Sequence, residues 1–481
     1  MKLSRLTRGA ALRDHLGRDV EITSLTCDSR AVAPGGLFAA LAGTRHDGNQ
    51  YIQEALERGA AAVLCSAPPA FSGPWLTAAD PREAFGQLCA NWFGRPGDGM
   101  TLLGVTGTNG KTTVTHLLKW TLERTLGARV GLIGTNRTVI GETVLPAGRT
   151  TPDAYTLQDL LARMRAAGCT HCVMEVSSHG LALRRTAGLT FRAGVFTNLT
   201  RDHLDFHGTM EEYRRAKGRL FSQCEAGILN GDDPAGRCYA RCAPCRCRSY
   251  GIENGEVRAR GLRLLPDRTE FEAVTASEVS PVSLPLPGRF NVYKALAVLA
   301  CCRELGIPLS KTAAALETAP GVTGRMEAVP VPAPYTVLID YAHTPDALEN
   351  VLTALREGTA GRLLCLFGCG GDRDRTKRPL MGEIAALLAD RVVLTSDNPR
   401  TEDPDVILDD IAAGIPPERA GRVLRERDRR QAIRRILSLA RPGDTVLLAG
   451  KGHETYQEIG EKRFPLDERK EISFFFEKNA L

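Results

Sequence analysis

Two periods alternate along this chain. Short uninterrupted apolar runs, the mark of strands buried on both faces, are separated by longer stretches whose apolar residues return every third or fourth position, as on one face of a helix. Over residues 1–98 the runs predict strands at 20–25, 36–41 and 61–65 and a helix at 51–58. The segment Phe93-Gly-Arg-Pro-Gly-Asp-Gly99 then marks a linker. Beyond it, strands are predicted at 102–105, 130–133, 171–176, 193–197 and 227–230, with helices from 111, at 156–167 and at 210–221. Strands alternating with helices favour a doubly wound parallel sheet. After Leu284-Pro-Leu-Pro-Gly288 comes an Ala/Leu-rich helix that ends near Gly306, and the glycines at 321 and 324 mark a second hinge. Further strands are predicted at 337–340, 363–367, 392–395 and 445–449. The pattern thus predicts three α/β domains: a small N-terminal one (1–98), a central P-loop-type doubly wound one (99–322) and a C-terminal Rossmann-like one (323–481).

Composition narrows the function classes. With 481 residues the chain is too long for one core, and 43% apolar and 25% charged residues are ordinary for a globular protein. A formal net charge of +6 with no basic run gives no support to nucleic-acid binding, while a modest basic bias suits an anionic small molecule. No apolar stretch reaches the ~18 residues of a membrane span, and the first residues lack a signal peptide's apolar region. A cytoplasmic protein with no membrane partner is expected. Fourteen cysteines include Cys238-x3-Cys242-x2-Cys245-x-Cys247, but this cluster has no second Cys/His doublet. Reduced thiols without a metal are expected.

The strongest local signal is Gly107-Thr-Asn-Gly-Lys-Thr-Thr113, placed between an apolar strand and an amphipathic helix. Glycines free the backbone for a tight turn, the turn's N–H groups and the helix N-terminus face an anion, Lys111 reaches the terminal phosphates, and Thr112 can ligate Mg²⁺. Val105 stands where the strict P-loop spacing has a glycine, so the match is to the Gly-Lys-Thr end.

In doubly wound sheets ligands gather at the carboxyl ends of strands. Two of those ends carry Glu175, Ser177 and His179, then Asp202, His203, Asp205 and His207. Carboxylate and imidazole beside a triphosphate suit either a Mg²⁺ site or a general base. Lys217 shares a helix face with Tyr213, Leu220 and Phe221, and periodicity by itself predicts a lysine lying along apolar surface with its head in water. In the third domain, Asp340-Tyr-Ala-His-Thr-Pro345, Gly368-Cys-Gly-Gly-Asp-Arg-Asp374, Asp397-Asn-Pro-Arg400 and Gly450-Lys-Gly-His-Glu454 lie at successive strand ends.

Taken together with Tyr213-x-x-Ala-Lys217, Gly288-Arg-Phe-Asn291 and Gly324-Arg-Met-Glu327, these motifs resemble, over all three domains, the Mur ligases, which form amide bonds with ATP in building the bacterial cell-wall peptide. The resemblance implies that Gly107, Thr108, Asn109, Gly110, Lys111, Thr112 and Thr113 hold the ATP phosphates, and that Asn291, Arg325 and Asp340 hold adenine and ribose. It implies Mg²⁺ at Thr112, Glu175, His203 and a Lys217 carbamylated by CO₂, with Lys111, Lys217 and His203 as the catalytic set. Ser29, Thr44, Arg45, His46, Thr150, Thr151, Ser177 and Arg185 match positions that grip a UDP-N-acetylmuramoyl dipeptide. Asp397, Asn398, Pro399 and Arg400, with Arg373, Gly450 and Glu454, match a meso-diaminopimelate pocket. Diaminopimelate differs from lysine by a distal carboxylate, which the Arg400 guanidinium can pair bidentately.

The implied reaction activates the D-glutamate γ-carboxylate as an acyl phosphate that the diaminopimelate amine attacks. The substrates are small molecules, and a monomer is expected. A lysine-adding ligase, a folate-glutamate ligase, a nucleotide-binding module without ligase chemistry and a zinc-binding interaction protein are the alternatives.

Overall fold

Thr101–Thr106 is the pivot of the largest sheet, and all but its first residue are buried. This is the continuous apolar strand of a parallel sheet covered on both faces. The computed structural model describes residues 1–16, 19–43, 47–68, 74–265 and 268–479. Among them, Thr101–Thr106 lies between His171–Glu175 and Phe191–Phe196, parallel to both. The chain therefore leaves this strand in opposite directions, which opens a crevice at its carboxyl end. Val130–Ile133 extends the parallel sheet on one side. On the other side come Cys224–Asn230, Arg246–Gly251 and Val257–Leu264.

Both edges run further than the apolar pattern predicts. The antiparallel hairpin Arg137–Ile140 with Thr143–Pro146 closes one edge, and Thr269–Val274 with Val279–Leu284 closes the other. Lys111–Leu126 packs on one face with Arg289–Glu304 and Leu309–Glu317, through Val114, Leu118, Val292, Leu296 and Leu316. Ala154–Ala166 covers the other face with Leu157, Leu161 and Met164. The helix predicted at 210–221 ends as an α-helix at Gly218 and continues as a 3₁₀ turn, Arg219–Gln223.

The amino-terminal sheet orders its strands Asp14–Leu16, Trp75–Thr77, Ala62–Cys65, Leu37–Ala39 and Leu25–Thr26. The strand predicted at 20–25 shrinks to Leu25–Thr26, because Ile22 N–H is taken by the Met1 carbonyl instead of a neighbouring strand. The third sheet runs Glu327–Val329, Thr336–Asp340, Thr445–Ala449, Leu363–Phe367, Arg391–Leu394 and Val423–Arg425, parallel except for the first. Pro345–Gly358 and Lys377–Leu388 cover one face, Arg429–Leu439 and Glu468–Asn479 the other. Arg429 and Glu468 form a fully buried ion pair at 2.9 Å, and Arg429 also donates to the Ala449 carbonyl.

Among the described residues no helix is long and apolar enough to cross a membrane. All fourteen cysteines are free, and among the described residues no group of three or more His, Cys, Asp or Glu is placed to hold a metal. The Cys238–Cys247 cluster is a set of thiols.

Candidate active site

The glycine loop is held open from beneath. Gly107 and Gly110 have φ of 147° and 88°, and a Cβ on Gly107 would fall 1.8 Å from Thr197 Oγ1. That hydroxyl donates to the Asn109 carbonyl at 2.6 Å, while Asn198 Oδ1 accepts from Asn109 N–H at 2.9 Å. Thr108 bonds Thr200 and the Tyr213 hydroxyl. Lys111 folds back to donate to the Gly107 and Thr108 carbonyls, both at 2.9 Å. Burial lowers its pKa, with Glu175 and Asp202 opposing the shift. Thr112 and Thr113 begin the helix Lys111–Leu126, whose N-cap Gly110 offers no side-chain cap. The first-turn N–H groups remain for an anion.

Beside the loop, Glu175 is fully buried and accepts from Thr135 N–H and Oγ1 at 2.8 and 2.9 Å. Among the described residues no cation pairs with it. A buried carboxylate with no ion-pair partner, next to a phosphate loop and the Thr112 hydroxyl, fits Mg²⁺, which takes few protein ligands and completes its shell with phosphates and water. Thr112 Oγ1 at present accepts from Arg325, at 2.9 Å.

His203 adopts a left-handed backbone, φ 55°, and lies 3.3 Å from Asp202, 4.8 Å from the His179 ring and 6.1 Å from Tyr213. Burial pushes its pKa down to about 3, against the pull of Asp202. Burial works against the Asp202 charge as well, but His203, Lys377 and His343 outweigh it and hold this carboxyl below its usual range.

Lys217 corrects the expectation drawn from periodicity. It is 1% exposed, so its head as well as its stem has left water. Its ammonium stands 4.4 Å over the Tyr213 ring, with no hydrogen-bond acceptor among the described residues. Burial, aided by Lys111, drives its pKa well below the ordinary value. A neutral amine is the form that reacts with CO₂, so the residue fits carbamylation.

Across the crevice, the helix Arg289–Glu304 and the start of the third sheet enclose a cavity of about 380 Å³, lined by Asn291, Arg325, Asp340, Tyr341 and Lys294 together with Gly110. Asp340 accepts from Met326 N–H at 2.7 Å, and burial raises its pKa. Arg325 lies 4.6 Å over Tyr341, and its Nε is buried without a partner. Three further contacts join this side to the central sheet: Asn109 to Asp346 at 2.7 Å, Asn136 to the Thr323 carbonyl at 2.8 Å, and Lys377 to Asp202 at 3.8 Å.

On the amino-terminal side, Thr151 Oγ1 bonds the Glu175 carbonyl and Ser177 Oγ, and Arg185 donates to the Thr151 carbonyl at 2.8 Å. The Thr150 hydroxyl bonds that of Thr135, a partner of Glu175, at 3.0 Å. These residues therefore form one network with the central crevice. Ser29 stands apart from it, bonded to Glu54 at 3.0 Å. Thr44, Arg45 and His46 lie outside the described residues.

The third-domain loops converge on Lys451, which is fully buried and bonds Asn398 Oδ1 at 2.7 Å and Glu454 at 3.1 Å, with Asp397 at 3.6 Å. A Cβ on Gly450 would strike Asp397. Arg400, with φ 52°, donates through Nε to Glu458 at 3.0 Å and through Nη1 to the Gly371 carbonyl at 2.8 Å. Pro399 precedes it in the same turn, and Arg373 bonds only the Asp372 carbonyl among the described residues. Nη2 of Arg400 carries no hydrogen bond there, which leaves the Nη end of the fork for an anion. Sequence reasoning missed Glu458, the partner of Arg400, which lies on the hairpin Tyr456–Ile459 far along the chain. It also missed Lys294, a cation that follows Asn291 by three positions in the helix Arg289–Glu304.

Three family models match the chain in order. They are the Mur ligase family catalytic domain over residues 21–89, the Mur ligase middle domain over 105–302, and the Mur ligase glutamate ligase domain over 324–452. A Halalkalibacterium halodurans protein named UDP-N-acetylmuramoyl-L-alanyl-D-glutamate--2,6-diaminopimelate ligase is 42% identical over 456 residues, 93% of each chain. A Thermosynechococcus vestitus protein of the same name is 45% identical, covering 100% of this chain and 98% of its own. A solved structure of that name superposes with a TM-score of 0.70 at 32% identity, over 100% of this chain and 99% of the other. The MurF ligase of Thermotoga maritima, solved with ADP, shares the fold at a TM-score of 0.62 and 19% identity, over 96% and 99% of the two chains.

Proposed function

The chain belongs to the Mur ligase family, and we propose that its crevice joins meso-diaminopimelate to the D-glutamate γ-carboxylate of UDP-N-acetylmuramoyl-L-alanyl-D-glutamate, using ATP. The observation that carries the chemistry is the shared cleft. His343 lies 3.9 Å from Asp202 and also helps hold the Asp397 carboxyl below its usual range, after burial, Lys451 and Arg429 have acted on it. The strand end of the third sheet at His343 therefore reaches the central crevice at Asp202.

ATP lies with its adenosine in the cavity around Asn291, Arg325 and Asp340 and its phosphates on residues 107–113. Lys111 leaves the Gly107 and Thr108 carbonyls for the β- and γ-phosphates. Thr112, Glu175, His203 and a carbamylated Lys217 would hold Mg²⁺, which would supply positive charge to the phosphate oxygens. The muramoyl dipeptide is gripped through Ser29, residues 44–46, Thr150, Thr151, Ser177 and Arg185, which present its γ-carboxylate to the γ-phosphate.

A carboxylate oxygen forms the new P–O bond as the bond to ADP breaks. The amine nitrogen of diaminopimelate then attacks the acyl carbon, and inorganic phosphate leaves. The departing phosphate dianion takes up the amine's proton, since His203 is engaged with the metal and the buried His179 imidazole stays neutral down to about pH 4. Closure over the site positions the amine and excludes water, so that the acyl phosphate meets nitrogen first. Arg400 selects the amine by its distal carboxylate, with Asp397, Asn398, Glu454 and Arg373 on the remaining groups. The enzyme works as a cytoplasmic monomer.

The test is phosphate release from the UDP-dipeptide and ATP with meso-diaminopimelate, lysine or ornithine. Diaminopimelate should be the preferred amine. Arg400→Met should lower kcat/KM for it by about 10- to 100-fold, the worth of a charge-assisted pair, while leaving the lysine rate little changed. Equal use of lysine by the unaltered protein would make it a lysine-adding ligase.

A further inference from the structure

Lys294 is the one cation on the cavity-facing side of Arg289–Glu304 past its first turn, and Phe290 and Asn291 share that face at four- and three-residue spacing. Its ammonium lies 4.5 Å over the Phe290 ring, and no hydrogen-bond acceptor reaches it among the described residues. Its stem runs against the glycine loop, so that a Cβ on Gly110 would stand 3.6 Å from Lys294 Cε. The residue is half-buried because its open side is the 380 Å³ cavity itself.

A lysine that only covered apolar surface would send its head to bulk water. This head stays where the cavity meets the loop. Meanwhile the loop's own lysine, Lys111, is turned onto the Gly107 and Thr108 carbonyls.

We propose that Lys294 is a second phosphate ligand, meeting the nucleotide's polyphosphate as it passes from the adenosine cavity to the glycine loop. This rests on the assignment of the cavity to ATP. Lys111 serves the loop end of the polyphosphate and Lys294 the adenosine end. The two cations act from opposite walls.

The charged groups facing Lys294 add a consequence. Asp340 faces it from the third sheet and supports its charge, and Arg325 opposes it. Arg289 stands at the start of its own helix, Asp346 lies on the helix across the cavity, and the Tyr250 and Tyr293 phenols, both with raised pKa, line the same space. Burial, the largest influence, brings the Lys294 pKa down to about 7. In the free protein at neutral pH the amine is therefore about half protonated. A polyphosphate beside it restores the charge, so nucleotide binding takes up a proton.

Calorimetry of ADP and of adenosine binding to the full chain near pH 7, in two buffers of different ionisation enthalpy, tests this. Lys294→Met should weaken ADP binding about tenfold, leave adenosine binding unchanged and remove about half a proton of uptake. Lys294→Arg should restore the affinity without the uptake, and it serves as the test if the methionine variant does not fold. ADP affinity and proton uptake unchanged in both variants would overturn the proposal while leaving the ATP assignment standing. Absence of ADP binding by the unaltered protein would remove both.

Discussion

Single side chains in this crevice are governed by the loss of water. Burial pushes the pKa of His179 and His343 down to about 4 and that of His203 to about 3, although Asp202 pulls all three upward. The sign of the resulting pH dependence follows. Unfolded imidazoles take protons near pH 6.5, and the folded ones refuse them until far more acid conditions. Stability is thus fully present above about pH 6.5 and falls as the pH drops toward 4. Each histidine contributes at most about 1.4 kcal/mol per pH unit, and less for His203 and His343, a third or more exposed and so partly screened. Thermal unfolding should show Tm falling steadily between about pH 7 and pH 5, with a shallower slope in His343→Gln. An unchanged slope in that variant would mean that its imidazole titrates as it does in water. Lys217 belongs to the same physics and shows where sequence pattern stops. Its spacing with Tyr213 and Leu220 identifies a helix face, but whether a lysine head reaches water depends on which element lies over it.

At the scale of elements, the strand ends were legible because the signal is local. An apolar run followed by glycine and charge predicts both a buried strand and a polar carboxyl end, and Thr101–Thr106, His171–Glu175, Leu363–Phe367 and Thr445–Ala449 follow that rule. The edge strands were not anticipated, since they carry only alternation. Val279–Leu284 begins exposed, buried, exposed, buried, a weak pattern in a short segment that holds two serines and a proline. The pairing of Arg400 with Glu458 was beyond reach, because 58 positions of chain separate the partners. The glycine loop itself makes a sharp prediction. In Gly107→Ala the new methyl would displace Thr197 Oγ1 from the Asn109 carbonyl and strain a backbone that side chains rarely adopt. ADP binding should weaken by more than about tenfold, with a stability loss of about 1–3 kcal/mol in urea titration. Unaltered ADP affinity would show that this turn does not shape the phosphate site.

Across the whole molecule, the cavity beside the glycine loop is closed by the approach of two sheets. Asn109 to Asp346, Thr112 to Arg325 and Asp202 to Lys377 span the gap, and the first two involve residues of the glycine loop and its helix. Removing Asp346 leaves Asn109 without its cross-cleft partner, a loss of about 1–3 kcal/mol if the group stays buried. Asp346→Ala should therefore enlarge the radius of gyration seen by solution scattering in the nucleotide-free protein and raise KM for ATP. An unchanged radius would place the hold elsewhere in the cleft. The Pro/Gly segments that suggest hinges are local signals, whereas this approach of one sheet to another depends on contacts between residues hundreds of positions apart. The Arg429–Glu468 pair extends that lesson to the far end of the chain. Arg429 donates to the carbonyls of Ser396 and Ala449, the residues just before Asp397 and Gly450, and Glu468 neutralises it without any help from solvent. On the proposed assignment of these loops to the incoming amine, its selection rests in part on this buried pair, and trimming the helix Glu468–Asn479 would blur the choice of building block before it touched the handling of ATP.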